Sequence, residues 1–165
     1  MNKYYLYKAA DLNTQVNINL PNGYEYFVYR PRLFQLKLHE GNKYVFLFWY
    51  IFTFGKYFIV YVQHKNEIVH SSVCLPKFFK FPFMNAHDLE IGPCWTSPNH
   101  RGKALYPATL IFIIKEFSGI YSKLYIMSGI NNIASQKGIE KAGFSLIGYV
   151  FKTKITGRYF FKSNI

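Results

Sequence analysis

Residues Trp95 to Leu105 read WTSPNHRGKAL: a strand-like approach runs into a short polar turn containing Gly102 and then opens a helix. A helix start leaves its first backbone N–H groups without intrahelical partners, and the helix dipole is positive there, so such a turn can cradle a phosphate. Gly102 lets the backbone approach a ligand closely, Arg101 and Lys103 add positive charge, and Ala104 is small enough not to block the concavity. A turn with Gly and two basic residues before a helix also occurs in proteins that bind no phosphate. A second segment adds to it: Asn132 to Phe144, NIASQKGIEKAGF, follows the strand-like Lys123 to Ile130.

The two segments together resemble the GNAT superfamily of acyl-CoA-dependent N-acetyltransferases. That family carries (Arg or Gln)-x-x-Gly-x-(Gly or Ala) around the CoA pyrophosphate, and this chain has Asn99-His100-Arg101-Gly102-Lys103-Ala104 after Thr96-Ser97-Pro98. Asn99 departs from the usual Arg or Gln, but most contacts of such a loop are made by backbone. Asn132, Ser135, Glu140, Lys141, Gly143 and Phe144 match the family's second pattern, and the likeness runs from about Tyr57 to the C-terminus. The resemblance implies acetyl-CoA as acyl donor, held by Trp95, Thr96, Asn99 to Ala104, Asn132 and Ser135, with no metal. For Asn132 a helix-capping role stands beside the ligand-binding one.

Along the chain, Tyr24 to Tyr29 reads as the first strand and Arg32 to Phe54 as a helical region. Tyr57 to Gln63 and Glu67 to Leu75 form a hairpin turned at Lys65-Asn66. Asp88 to Trp95 is the fourth strand and Lys123 to Ile130 the fifth, with helices from about Lys103 to Phe117 and Ile133 to Ala142. A last strand pair is Ser145 to Ile155 and Arg158 to Lys162, turned at Thr156-Gly157. This order predicts an α/β fold: a GNAT-like mixed central sheet with splayed parallel fourth and fifth strands and flanking helices. The resemblance further implies that the pantetheine arm enters between them beside Pro93 to Thr96, with the splay near Ser128 to Asn131. The length, 165 residues, suits one domain spanning 1–165.

Half of the residues are hydrophobic and 21% aromatic, which argues against disorder. Cys74 and Cys94 form neither a metal-ligand spacing nor a disulfide framework, which favours packing roles and a reducing cytoplasm. Tyr44 to Val62 is apolar for 19 residues but is interrupted by Gly55-Lys56, so two elements separated by a turn explain it better than an integral membrane span. The net charge is +12, of which +8 lies in Arg101 to Ile165. Such charge suits CoA, and equally nucleic acid or an anionic membrane. The basic–aromatic stretches Lys77 to Phe83 and Tyr149 to Lys162 make a nucleic-acid-binding module the rival class, but their aromatics alternate as strand cores do, so no nucleic acid partner is expected. Exposed aromatic C-terminal strands could support a homodimer.

The chemistry implied is direct attack of a primary amine on the acetyl-CoA thioester. It needs a base for the ammonium, an acid for the thiolate and N–H donors for the oxyanion. Glu90 is the first candidate base, with Asp88 at the same strand parity and His70 on the preceding strand as competitors. Alternation places Asp88, Glu90, Gly92 and Cys94 on one face unless a bulge intervenes. Family members often carry Tyr where this chain has Ile139, so the acid is Tyr125, Tyr149 or none; an acyl-CoA-binding protein without catalysis is a further reading. Aromatic and basic residues in Pro31 to Phe54 and Lys77 to His87, among them Arg32, Lys37, Lys77 and Lys80, suit a nucleotide-linked amino sugar as the acceptor, and Phe79 to Leu105 resembles small acetyltransferases of surface-polysaccharide synthesis; a protein N-terminus, a polyamine and a small antibiotic amine are the open alternatives.

Overall fold

The apolar run that begins at Tyr44 divides where its glycine predicts. Helix α1 (Lys43–Phe52) gives way to a turn in which Phe54 and Gly55 have φ of 53° and 69°, and β3 (Phe58–His64) follows. The computed structural model of the protein describes residues 2–9, 17–32 and 43–163, so positions 33–42 of the expected helical region, Lys37 included, lie outside the described residues. β3 turns at Lys65 and Asn66, with φ of 50° and 65°, into β4 (Glu67–Pro76); two left-handed residues are what a tight hairpin needs to match strand twist.

The remaining elements are β1 (Asn2–Ala9), β2 (Tyr24–Tyr29), β5 (Asp88–Thr96), α2 (Leu105–Phe117), β6 (Lys123–Gly129), α3 (Ile133–Lys141), β7 (Phe144–Lys152) and β8 (Tyr159–Ser163). Among the described residues they form one eight-stranded sheet in the order β2-β3-β4-β5-β6-β1-β7-β8. β5 and β6 run parallel, joined by the α2 crossover, and the other pairs are antiparallel. The mixed α/β sheet expected from the sequence is therefore present, and its fourth and fifth strands are β5 and β6.

The count differs by one because β1 was not expected. Its sequence NKYYLYKA lacks apolar–polar alternation, since Tyr4, Tyr5, Leu6 and Tyr7 are consecutive. The reason is its central position between β6 and β7, where both faces are covered. Helices α2 and α3 pack on one face over Phe58, Val60, Leu89, Ile91, Leu124 and Ile126. On the other, α1 and the connector 77–87 cover Tyr57, Ile59, Leu75 and Tyr125 with Phe46, Trp49, Phe78, Phe81 and Met84. No helix among the described residues is long and apolar enough to cross a membrane.

Leu6 is fully buried in the middle of β1. Leu6→Ala should lower stability by about 2–5 kcal/mol, the range for emptying a packed Leu site, as measured by urea denaturation. A loss within about 0.5 kcal/mol would place β1 outside the cooperative core.

Candidate functional site

β5 and β6 pair only from Asp88 with Lys123 to Ile91 with Ile126. Beyond that point they part. On its other side β5 pairs Ile91 with Cys74 and Cys94 with Ser72, so three steps along β5 match two along β4, and the extra residue makes a bulge at Gly92-Pro93. The splay thus opens at Gly92 and Met127, one residue ahead of the expected Pro93 and one or more ahead of Ser128 to Asn131 on β6. The bulge also resets the alternation. Cys94 joins Leu89 and Ile91 on the α2 face, while Glu90 faces the α1 side, so the expected shared face of Glu90 and Cys94 is not formed.

Two cavities meet at this gap. One, of about 530 Å³, lies between the β5 and β6 ends and the starts of α2 and α3, with Trp95, Thr96, Arg101, Tyr106, Asn132 and Ser135 among its walls. The other, of about 340 Å³, lies under α1 and the connector, with Trp49, Phe78, Phe81, Tyr159, Lys80 and Glu90 among its walls. Gly92, Pro93, Met127 and Gly129 border both.

The turn before α2 has the form of an anion cradle. Gly102 has φ of 77° and Ala104, the residue before the helix, φ of 56°. A Cβ built on Gly102 would meet nothing within 4 Å, so the space in front of the turn is open to a ligand. The first bond of α2 runs from Ala108 N–H to the Ala104 carbonyl, which leaves the preceding amides at the helix mouth. Arg101 Nε donates to the Thr96 carbonyl at 3.3 Å and borders the first cavity. Asn99, His100, Gly102, Lys103 and Ala104 do not line that cavity itself. Lys103 Nζ donates to Tyr24 Oη at 2.9 Å, and His100 Nδ1 is 2.9 Å from the same oxygen, so Tyr24 of β2 anchors the back of the turn. Sequence reasoning missed Tyr24, because 79 residues separate it from Lys103.

Asn132 caps α3, its Oδ1 accepting from Ser135 N–H at 3.2 Å, and it also lines the first cavity. Ser135 Oγ is 3.3 Å from the Tyr106 hydroxyl. Tyr106 was also missed. Burial first, and Cys94 second, push its phenol above the ordinary tyrosine range, so it keeps its proton. The sequence did contain a signal: Gly138 sits inside α3, where glycine costs about 1 kcal/mol against alanine. A Cβ there would lie 2.7 Å from Tyr106 Cδ1, so the glycine makes room for the ring.

The three candidate bases are kept apart. Glu90 is 3% exposed, and burial holds its carboxyl well above the usual carboxylate range. Asp88 is turned into the connector, where its Oδ2 accepts from Asn85 N–H at 2.7 Å, and it lines neither cavity. His70 lies on the α2 face with Nδ1 2.7 Å from Thr96 Oγ1 and Nε2 2.9 Å from Ser72 Oγ. Burial lowers its pKa to about 4. Of the tyrosines expected as acids, Tyr125 packs edge-on to Phe83 and Tyr149 lies under Lys3 Nζ at 3.4 Å; neither borders the gap. Ile139 is fully buried in the core. Cys94 borders the first cavity with its thiol pushed up to about 12 by burial, so it is not a thiolate nucleophile at neutral pH. Among the described residues no group of three His, Cys, Asp or Glu side chains converges as a metal site.

The mixed sheet with its parallel β5–β6 pair is shared with solved structures of GNAT acetyltransferases. An acetyltransferase from the GNAT family from Colwellia psychrerythraea superposes with a TM-score of 0.64 at 14% identity, over 90% of this chain and 54% of that one. A tandem GNAT protein from the clavulanic acid biosynthesis pathway gives 0.61 at 13% identity, over 87% and 50%. A GCN5-related N-acetyltransferase from Sphaerobacter thermophilus gives 0.59 at 13% identity, over 89% and 49%. The chain spans about half the length of these structures. No protein-family model matches it, and no curated protein sequence does. The chain has the GNAT fold.

His70 supplies a test of the site's electrostatics. The unfolded chain protonates His70 near pH 6.5 and the folded chain only near 4, so folding stability contributed by the neutral ring is present above that window and lost as pH falls through it. His70→Gln should remove this loss: the stability difference between wild type and variant, measured by denaturant titration, should shrink or reverse from about pH 6.5 to 4. A pH-independent difference would contradict the buried neutral imidazole.

Proposed function

We propose that the protein is an N-acetyltransferase that moves the acetyl group of acetyl-CoA directly to a primary amine. The observation that carries this reading is the pair of cavities meeting at the β5–β6 gap, one beside the anion cradle and the other beside a buried carboxylate. The fit to acetyl-CoA rests on the open space before Gly102 and on the strand edges that the splay leaves without each other as partners. The turn from Asn99 to Ala104 and Arg101 would hold the pyrophosphate, and the edge of β5 from Pro93 to Thr96 would hold the pantetheine arm. When bound, acetyl-CoA supplies an acyl group activated as a thioester.

The chain's own residues divide the remaining work. Glu90 takes a proton from the incoming ammonium, either directly or through water, and its raised pKa makes it a stronger base than an ordinary carboxylate. An arriving ammonium beside Glu90 favours the ionised carboxylate again. Tyr106 holds a proton on the wall of the first cavity, where it can donate a hydrogen bond to the departing sulfur. Trp49, Phe78 and Tyr159 shape the acceptor side and exclude water. A nucleotide-linked amino sugar is the first acceptor to test, since the aromatic and cationic residues there match a base and a diphosphate.

Acetyl-CoA and CoA, but not a salt-matched polyanion, should raise the thermal midpoint in a saturable way. Gly102→Trp should remove that shift, and should also lower the unliganded midpoint somewhat, because a side chain is strained at φ of 77°; unchanged affinity would refute the pyrophosphate site. A shift with the polyanion alone would favour the nucleic-acid-binding class.

Glu90→Gln should lower kcat by about a hundred- to ten-thousandfold without weakening acetyl-CoA binding. In the wild type, kcat/KM should fall as pH drops through the raised Glu90 pKa, above the ordinary carboxyl value of about 4.3. Full turnover in the variant, or an acid limb near 4.3, would remove Glu90 as the base.

A further inference from the structure

Transfer to an amine requires a base at the gap, but it does not require the cationic rim on the acceptor side. Lys80, from the connector, lines that cavity. Lys152 closes β7, and the two side chains come together at the β7–β8 turn, where a Cβ built on Gly157 would lie 3.9 Å from Lys80 Cε and 4.0 Å from Lys152 Cε. Their ammonium groups sit over rings: Lys80 Nζ is 4.6 Å from the Phe48 centroid and Lys152 Nζ 5.6 Å from that of Tyr159. Tyr159 is itself a wall of the cavity, stacked on Phe81 at 5.7 Å. The Tyr159 N–H donates to the Lys80 carbonyl at 2.8 Å, which ties the two elements together.

This pairing of like charges needs an explanation. Burial, and then Lys152, lower the Lys80 pKa, so the arrangement works against the charged form. A nearby carboxylate would relieve it, but β1, α1, the connector 77–87, β7, the turn after it and β8 contain no Asp or Glu. The acid of the cavity is Glu90, at the gap. The cavity therefore has the Glu90 carboxyl at the gap, aromatic walls and Lys80 in its lining, and Lys152, which does not line it, lies beside Lys80 over the outer wall formed by Tyr159.

We infer that the acceptor carries an anionic group, a carboxylate or a phosphate, at the end remote from its amine, and that Lys80 and Lys152 bind that group at the rim of the Glu90 cavity. The aromatic walls take an apolar body between the two ends. The orientation follows from charge: the ammonium goes to the carboxyl, and the anion goes to the lysines. The role of the amine end rests on the acetyltransferase reading, whereas anion binding at the rim is a property of the chain alone.

The test uses three probes that share an aromatic ethylamine body: tyramine, its O-phosphate and 4-(2-aminoethyl)benzoate. Their binding is measured by calorimetry at fixed salt without acetyl-CoA, to wild type, Lys80→Met and Lys152→Met. Methionine keeps an apolar stem over the rings and removes only the charge. At least one anionic probe should bind wild type about tenfold or more tightly than tyramine, in keeping with hydrogen bonds to charged groups. That advantage should fall below about threefold in both variants, and the better anion tells a phosphate from a carboxylate. Equal binding of the three probes to wild type, or an advantage that survives both substitutions, would overturn the subsite. If a variant fails to fold, the wild-type ratio still decides. Anion preference with no acetyl-CoA stabilisation would retain the subsite and sink the acetyltransferase reading, and the converse result would do the opposite.

Discussion

The structure depends on where two parallel strands stop pairing. β5 and β6 share four residue pairs and then diverge, because the bulge at Gly92-Pro93 gives β5 one residue more than β4 can match. Buried peptide groups must find partners, so a gap in the middle of a sheet is tolerable only where solvent or a ligand can complete it. The same extra residue sends Glu90 to one face of the sheet and Cys94 to the other. Gly92 is part of that geometry in a second way, since a Cβ on it would lie 2.9 Å from Glu90 Oε1. Gap, bulge and carboxylate position are one construction.

Two of the buried titratable groups around the gap, His70 and Glu90, act in opposite directions. His70 is held neutral between Thr96 and Ser72, and acid works against it. Burial raises the Glu90 pKa: between its unfolded and its raised folded pKa the native state binds more protons, so rising pH works against it. Each is an energetic cost that the surrounding core offsets. Glu90 faces the cavity under α1, whereas His70 fixes the hydroxyl of Thr96, ahead of the turn before α2.

Much of this was legible from residue order. The Lys65-Asn66 turn, the hairpin it joins, the division of the Tyr44 to Val62 run and the helix after Gly102 are local properties, set by turn chemistry and periodicity. What escaped was set by distance. β1 is hidden because a strand buried on both faces loses its alternation, and Tyr24 and Lys152 acquire meaning only when the sheet brings them to Lys103 and Lys80. Asp88 looked equivalent to Glu90 by parity, yet its partner is the Asn85 amide three residues away. Gly138 was readable in principle, as a glycine where a helix would ordinarily choose alanine.

The central position of β1 also bears on how the chain reaches its fold. Tyr4 pairs with Gly129 on one side and with Val150 on the other, so the strand made before all its partners has both hydrogen-bonding edges open until β6 and β7 have left the ribosome. Over that interval a run of three tyrosines and a leucine stays without cover, which is the kind of segment that finds the wrong strand in another chain. The half of the sheet formed by β6, β1 and β7 can close only after most of the chain has been synthesised, and such long loop closures slow folding. Yield on expression should therefore respond more to synthesis rate, temperature and chaperone supply than the native packing of the core would imply.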